Sequence, residues 1–297
     1  MSAAHVSWIH VAPIKALAVQ ELQEVELGRL GVENDRRFCI VDPDGKMLNA
    51  KRVPGFVAIR PHFDADMCSL VLEMPDGTEV SGPVRLGGAI TVSIYRRHTP
   101  AKIVEGPWSD ALSAVAERPV RPGDAITVSI YRRHTPARIV EGPWSDALSA
   151  VAERPVRLVR FDDPGEGVDR TGEDAGATLL SEASLHAIGR AAGVTAAVDP
   201  RRFRMLFGVA GVDAHAEDTW IKRRVHIGAA IVVPRGNVGR CAVTTLDPLT
   251  GVSDLDTLAA LATYRGASVT SEPLAFGIWG QIAQGGVVRI GDPVHVV

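Results

Sequence analysis

Tight-turn sequences recur at short intervals along this chain and separate short apolar runs. Asp42-Pro43-Asp44-Gly45 follows the run Arg37–Val41, and Pro75-Asp76-Gly77 closes the run Leu70–Glu73. Pro fixes φ for a turn and Gly tolerates positive φ, so such clusters mark chain reversals. Strands this closely spaced leave no room for the crossover helices of a parallel sheet. The pattern predicts a mostly β chain of the α+β class, packed as a barrel or sandwich.

Composition narrows the functional classes. The net charge is −3, so the chain has no overall basic excess and nucleic acid is a poor candidate partner. The three cysteines, Cys39, Cys68 and Cys241, match neither a disulfide framework nor a zinc motif. No apolar run approaches the ~20 residues that span a bilayer, and the N-terminus lacks a signal-peptide pattern. We therefore expect a cytoplasmic protein without a membrane partner.

An acidic, glycine-rich stretch at 162–177 is the best candidate linker. It divides the chain into a predicted N-terminal β-barrel-like domain, residues 1–175, and a second β-barrel domain, residues 176–297, with a few helices. Ser181–Ala192 and Leu255–Tyr264 carry apolar residues at helical spacing and are predicted helices.

A near-identical tandem repeat lies inside the first domain. Residues 83–121 recur as 119–157, and the copies differ at only three of 39 positions. Each copy predicts two strands and a short helix, which in the first copy is Trp108–Glu117. A recent duplication, an error in assembling the sequence and a paired binding surface are all compatible with this pattern. The first copy keeps the native sequence before the repeat, and the second copy keeps the native sequence after it. The sequence therefore does not decide which copy occupies the native position in the first domain.

Cys241 is the side chain that is best suited to attack a substrate or bind a metal. It opens a predicted strand, Cys241–Thr245, directly after Gly239 and Arg240. A neighbouring arginine favours the thiolate, the form that attacks or binds a metal. The alternative is a small buried residue at the start of a strand, and these residues alone favour that alternative.

Five basic residues stand beside turns or strand ends. Together they could hold a phosphate, although each by itself is typical of a solvated surface. They are Lys15, Arg36, Arg37, Arg204 and Arg240. Zinc-hydrolase, serine-hydrolase, dinucleotide-binding and Walker motifs do not occur.

Several blocks in order resemble the MOSC domain, named for the C-terminal domain of molybdenum cofactor sulfurase. The blocks are Leu179–Leu185, Arg202-Phe203-Arg204, Ala216–Trp220, Arg240–Gly251, Phe276–Trp279 and Val288–Val294. The run RC-x-x-TT-x-DP-x-TG within Arg240–Gly251 is the most specific. Three further blocks resemble the β-barrel domain that often precedes MOSC: Pro13-Ile14-Lys15, Asn34–Arg37 and Val41–Gly45.

The resemblance extends to the mitochondrial amidoxime reducing component and its bacterial counterparts. It implies a molybdenum cofactor, molybdopterin with its metal, bound between the domains, and Cys241 as metal ligand and catalytic residue. The cofactor-binding positions that it implies are Lys15, Arg36, Ser181, Arg204, Arg240 and Trp279. It also implies reduction of small N-hydroxylated substrates with electrons from a separate reductase, and a family-level association with pyridoxal phosphate.

Two departures bear on these expectations. Leu206 stands where relatives often have Asn, which predicts a lost amide contact, and Trp279 stands where Tyr is common. Two other functions therefore stay open: a carrier of sulfur or cofactor that uses a Cys241 persulfide or thiolate, and an inactive MOSC homologue.

Overall fold

The structure is a computed structural model that describes residues 3–102, 125–169, 176–266 and 268–297. The described residues form mostly strands with three α-helices, which confirms the predicted fold class. The strands divide into an eight-stranded sheet, a four-stranded sheet and two smaller ones.

The eight-stranded sheet has the order β17-β13-β14-β15-β11-β12-β1-β2. Its strands are β1 (His5–Val11), β2 (Gln20–Glu21), β11 (Gly176–Ser181), β12 (Phe207–Ala210), β13 (Val225–Ile227), β14 (Ala230–Gly239), β15 (Ala275–Gln284) and β17 (Val294–Val296). β11 and β12 are parallel, and the other pairs are antiparallel. The strand order is open, and a single bridge between His5 and Pro293 joins β1 to the residue before β17.

The four-stranded sheet belongs to the first half of the chain and has the order β4-β10-β9-β8. Its strands are β4 (Phe38–Val41), β8 (Arg85–Lys102), β9 (Ala125–Glu141) and β10 (Arg157–Phe161). A three-stranded meander of β5 (Arg60–Asp64), β6 (Ser69–Glu73) and β7 (Glu79–Pro83) lies in the same half. A final pair joins β3 (Glu24–Leu27) to β16 (Gly286–Arg289).

The three helices are α1 (Trp144–Ala152), α2 (Glu182–Ala191) and α3 (Thr257–Arg265). α1 buries Trp144 and Leu148, four residues apart and therefore on one face. α3 begins at Asp256, whose side chain accepts a hydrogen bond from Ala259 N and satisfies one free donor of the first turn. Ser181, the first residue of the predicted helix, is the N-cap that precedes α2, and its hydroxyl makes no capping bond.

The apolar residues pack into separate cores for the two halves. Phe38, Phe56, Trp144 and Leu158 lie in the core of the first half, between the four-stranded sheet, α1 and the meander. The eight-stranded sheet buries two further clusters, one of which is covered by α2 and α3. β1 and β3 pair with strands of the second half, so the chain passes between the two cores near its start. The domain boundary at 175/176 stays a prediction.

Three local predictions were wrong. Cys241–Thr245 is not a strand: Cys241 precedes a 3-10 helix, Ala242–Thr245, because Thr244 N and Oγ1 both donate to the Cys241 carbonyl. The sequence also predicts a strand over 57–63, but the first residues of this stretch belong to a 3-10 helix, Pro54–Ala58. The two short strands predicted in the second copy of the repeat are one long strand, Ala125–Glu141, and the second strand predicted in the first copy, Ile103–Val104, lies outside the described residues. The helix predicted at Trp108–Glu117 lies outside the described residues.

Candidate functional site

The segment that carries Cys241 is fixed by the arginine before it. The Arg240 guanidinium donates to the carbonyls of Phe203, at 2.9 Å, and of Phe276, and it also contacts Met205 Sδ. Arg240 also lies over the Phe203 ring, 5.5 Å from its centroid. The half-exposed Cys241 follows directly, at the start of the 3-10 helix. Arg240 thus ties the cysteine to β15 and to the segment before β12.

Gly239 permits a close approach, as its place before Cys241 predicts. Its N–H donates to Glu272 Oε2 at 3.2 Å. A Cβ at this position would lie 2.7 Å from the same oxygen and 3.0 Å from the Pro273 carbonyl. The close partner is therefore the segment before β15, and a side chain at position 239 would push that segment away from Cys241.

Three of the predicted basic residues come together where the two halves meet. Arg36 Nη2 donates to the Arg204 carbonyl at 3.0 Å, and Arg204 Nη1 donates to the Leu17 carbonyl. Lys15 lies on a segment bridged to Phe38, two residues after Arg36. Its amine binds Asp169 Oδ1 at 2.6 Å, and that carboxylate is 81% exposed.

Arg204 is the most unusual of these residues. Its Nη2 atom is buried and has no hydrogen-bond partner. Burial, followed by the charge of Arg36, lowers the Arg204 pKa to about 10. Arg36 and Arg204 both have positive φ, 54° and 53°, a backbone region that is uncommon for residues with side chains and is found often at functional sites.

A cavity of about 350 Å³ opens between the two halves beside this cluster. Residues from both halves line it, among them Ala18, Val57, Arg60, Arg204, Val243 and Leu246. Arg204 belongs to the basic cluster, and Val243 to the 3-10 helix that follows Cys241. The cavity therefore borders both the cationic groups and the cysteine segment.

Ser181 lies in a buried network rather than on an exposed turn. It is fully buried, its Oγ donates to the Asp213 carbonyl at 3.1 Å, and its N–H donates to Glu217 Oε1 at 3.2 Å. Glu217 also accepts from Ser184 Oγ at 3.3 Å, while its Oε2 is buried without a partner. Burial raises the Glu217 pKa to about 7.

His215 extends this network towards Arg240. Its ring nitrogens contact Ser184 Oγ at 3.3 Å and Tyr264 OH at 3.0 Å, and burial is the main cause that lowers its pKa to about 4. The imidazole packs edge-on against Phe276, with 5.8 Å between ring centroids, and the Phe276 carbonyl accepts from Arg240. Phe276 thus connects this network to Arg240, the residue before Cys241.

A second polar group holds the end of β14. Asn237 is 2% exposed, and its Nδ2 donates to Asp218 Oδ1 at 2.7 Å. Arg265 donates to the other oxygen of the same carboxylate at 2.6 Å, and Ser271 Oγ accepts from Asn237 N at 2.7 Å. These bonds fix the strand that leads into Arg240.

Sequence reasoning gave no role to His215, Glu217 or Asn237. Glu217 stands in the block Ala216–Trp220, which carries part of the family resemblance, and this was the available signal. Burial of a carboxylate cannot be read from the sequence, because acidic residues are nearly always exposed.

The two departures from the relatives have different surroundings. Leu206 is 5% exposed within an apolar cluster of the large sheet, and its N–H donates to Thr178 Oγ1 at 2.8 Å. Its side chain therefore belongs to the core. Trp279 pairs with Thr178 and Gly236 on the neighbouring strands, and a Cβ on Gly236 would lie 3.1 Å from its Nε1.

No helix within the described ranges has the length and apolar character that a membrane span requires. Nor do those ranges contain a group of three or more His, Cys, Asp or Glu side chains placed to hold a metal ion.

Two family models match the chain. Residues 3–108 match the MOSC N-terminal beta barrel domain, and residues 167–295 match the MOSC domain. The chain therefore belongs to the MOSC family and carries both domains in the expected order.

Individual relatives agree with that assignment. The chain is 26% identical to mitochondrial amidoxime-reducing component 1 of Xenopus laevis, over 98% of this chain and 82% of the relative. It is 38% identical to human mitochondrial amidoxime reducing component 2, over 31% of this chain and 29% of that protein. A solved structure of the Bacillus subtilis YUAD protein aligns over 99% of this chain and 96% of that one at 10% identity. The TM-score of that alignment is 0.40.

Proposed function

We propose that this chain binds a molybdenum cofactor in the cleft between its two halves and reduces N-hydroxylated compounds. The observation that carries the proposal is one continuous set of contacts. Arg36 binds the carbonyl of Arg204, and Arg240 binds the residues on either side of Arg204 and leads into Cys241. MOSC membership and the names of the relatives support the same reading.

The residues present fit an anionic cofactor. Arg204 Nη2 is a buried guanidinium nitrogen without a hydrogen-bond partner, a costly arrangement that a phosphate oxygen would relieve. Lys15 is paired with an exposed carboxylate, so a phosphate would compete for its amine.

Cys241 would be the metal's protein ligand. Cys241 is half-buried and lies two residues before Val243, which lines the cleft, and the hydrogen bonds of the Arg240 side chain hold the preceding backbone. A fixed backbone reduces the reorganisation needed when a ligand binds. When bound, the cofactor supplies two-electron chemistry at a metal that accepts the substrate oxygen.

The reaction balances as two electrons and two protons added to an N-hydroxylated amine, which gives the amine and water. The N–O bond breaks, the oxygen leaves as water, and a separate reductase supplies the electrons. The apolar part of the cleft wall, including Val57 and Leu246, would exclude water around the substrate. Trp279 and Ser181 stay predicted cofactor-binding residues, and cytoplasmic location and the association with pyridoxal phosphate also stay predictions.

Molybdenum analysis tests the proposal most directly. The protein is expressed in a host that makes abundant cofactor, and its metal content per chain is measured for wild type, Cys241→Ala and Cys68→Ala. Cys68 is an exposed cysteine of the first half, so it controls for loss of a thiol in general. We expect near one molybdenum per chain in wild type and Cys68→Ala, and almost none in Cys241→Ala.

The other outcomes separate the alternatives. Normal molybdenum and turnover in Cys241→Ala would contradict the assignment of the ligand. A labile sulfur adduct on Cys241 without molybdenum would favour a sulfur carrier. A folded wild-type chain with neither metal nor adduct would identify an inactive homologue.

A further inference from the structure

The two copies of the repeat pair with each other along their whole strands. β8 comes from the first copy and β9 from the second, and they form one antiparallel ladder from Arg85↔Glu141 to Lys102↔Ala125. The ladder pairs Val92 with Thr135 and Thr99 with Val128. The second copy begins 36 residues after the first, so Thr135 is the counterpart of Thr99 and Val128 the counterpart of Val92. The ladder therefore contains the same pair of repeat positions twice.

The same register could also be formed within a single copy of the repeat. Within a single copy, it would pair Val92 with Thr99 and close a hairpin around Tyr95-Arg96. In the structure this turn is absent, and each strand continues through the position where the turn would be. The partner that each arm would find in its own copy is supplied by the other copy.

We propose that the two repeat copies have exchanged hairpin arms within one chain. Arg85–Arg96 of the first copy and Arg133–Arg157 of the second then supply the repeat's share of one complete N-terminal domain. The 36 residues 97–132 are an addition to a domain that is complete without them. Neither copy alone occupies the native position in the first domain, because each copy supplies one part of it.

Burial supports the division between the inner and outer parts of the ladder. Val92 of the first copy is fully buried with Ala137 of the second, in a cluster that also contains Cys39 and Phe161. Val140, Trp144 and Leu148, all from the second copy, fill the main core of the first half. β10 pairs with β9 only at Ala137–Ile139. The inner ladder is therefore integral to the domain, and beyond it β8 and β9 pair only with each other among the residues that the structure describes.

The sequence gives a physical reason for the exchange. A two-residue hairpin turn favours Asn, Asp or Gly, because it needs positive φ. Tyr95-Arg96 and its counterpart Tyr131-Arg132 supply none of these residues, and neither does the run from Ala89 to Val104. Opening both turns keeps the cross-strand pairs and removes two unfavourable turns. Exchange of identical elements has a low energetic cost for this reason.

Engineered disulfides distinguish exchange from two separate hairpins. In a Cys68→Ala background, Val92→Cys/Thr135→Cys places cysteines opposite each other only if the arms are exchanged. The matched variant Val92→Cys/Thr99→Cys does so only if the first copy forms its own hairpin. Both are folded under mild oxidation, the monomer is isolated, and the linked peptides are identified by mass spectrometry.

We expect the 92–135 link in more than about nine tenths of the monomer and almost none of the 92–99 link, as cross-strand geometry requires. A dominant 92–99 link would overturn the proposal, and so would a 92–135 link found only between chains in a dimer. If the buried position tolerates cysteine poorly, Ile90→Cys/Ala137→Cys and Ile90→Cys/Ala101→Cys make the same comparison.

Deletion of residues 97–132 tests the second part of the proposal. The shortened chain joins Arg96 to Arg133 and restores a single copy. We expect it to fold as a monomer with its melting midpoint lowered by no more than about 5 °C, because the Tyr-Arg turn is unfavourable. A shortened chain that does not fold would show that the 36 residues are needed and would overturn this part.

Discussion

The two halves of the molecule bury different kinds of residue. Of the eleven buried polar or charged residues in the described ranges, eight lie between Ser181 and Arg265. The core of the first half is almost wholly apolar, and its helix α1 and two of its strands, β8 and β9, come from the repeated sequence. Buried polar groups are costly unless they are bonded, and they are common where a site must be held in one geometry. The contrast assigns the first half a role as apolar framework and the second half the control of the Cys241 segment.

The largest expected effect tests the framework side of this comparison. Trp144 is fully buried in the core of the first half, and the chain contains an identical residue, Trp108, at the same repeat position. Only one tryptophan can occupy that core position. Trp144→Ala should therefore lower the free energy of unfolding by about 3–5 kcal/mol.

Trp108→Ala is the matched control, and we expect a much smaller change in chemical denaturation. Small losses of equal size from the two variants would mean that either copy can fill the core. The framework would then not depend on one arrangement of the repeat.

The next effect tests the polar side. The folded-state pKa of Glu217 is raised from 4.5 to about 7, so the folded state binds more protons than the unfolded state between these values. Stability contributed by this group is therefore present below pH 4.5 and is lost as the pH rises to 7, by roughly 3 kcal/mol. His215 acts in the opposite direction, since its pKa falls from 6.5 to about 4 and stability rises across that interval.

Glu217→Gln should remove the pH-dependent stability that Glu217 contributes and leave the contribution of His215. The variant's free energy of unfolding, measured by urea denaturation from pH 4.5 to 7, should rise relative to that of wild type. The exposed Glu26→Gln on β3 should follow the wild-type profile. Parallel profiles for wild type and Glu217→Gln would show that the buried carboxyl does not titrate in this interval.

Local sequence predicted the strand-rich class and the positions of α2 and α3, because periodicity and turn residues act over a few neighbours. It did not predict the 3-10 helix after Cys241, which depends on hydrogen bonds from Thr244 back to the Cys241 carbonyl. Nor could it predict the exchange of repeat arms, because identical copies have identical local preferences. The choice between them is made by long-range pairing.

The candidate site was only partly accessible to the sequence, for a related reason. Lys15, Arg36 and Arg204 were singled out by resemblance, and the structure brings them together across 189 residues of chain. Glu217 and Asn237 were missed because their burial follows from tertiary packing alone. The lost amide at Leu206 was expected to affect the cleft, yet the leucine side chain lies in the core.

The smallest of these effects concerns Arg204, at the junction of the two halves. Burial of its charge lowers the Arg204 pKa from its ordinary value to about 10, which means that the folded state is less stable at neutral pH than an unburied arginine would allow. Arg204→Met should remove this cost and lose the bond to the Leu17 carbonyl. We expect the cofactor-free protein to gain about 1–2 kcal/mol in unfolding free energy.

The same variant should bind the cofactor more weakly if Arg204 holds an anion. Loss of a charge-assisted hydrogen bond predicts a roughly tenfold to hundredfold weaker retention, measured as molybdenum per chain after extended dialysis. Arg60→Met is the control, because Arg60 lines the same cavity but is paired with Glu73. A more stable Arg204→Met protein with full molybdenum would make Arg204 a structural residue of the junction. A less stable Arg204→Met protein with full molybdenum would show that the Arg204 charge stabilises the framework and does not hold the cofactor. The polar groups that control the site would then be those within the second half.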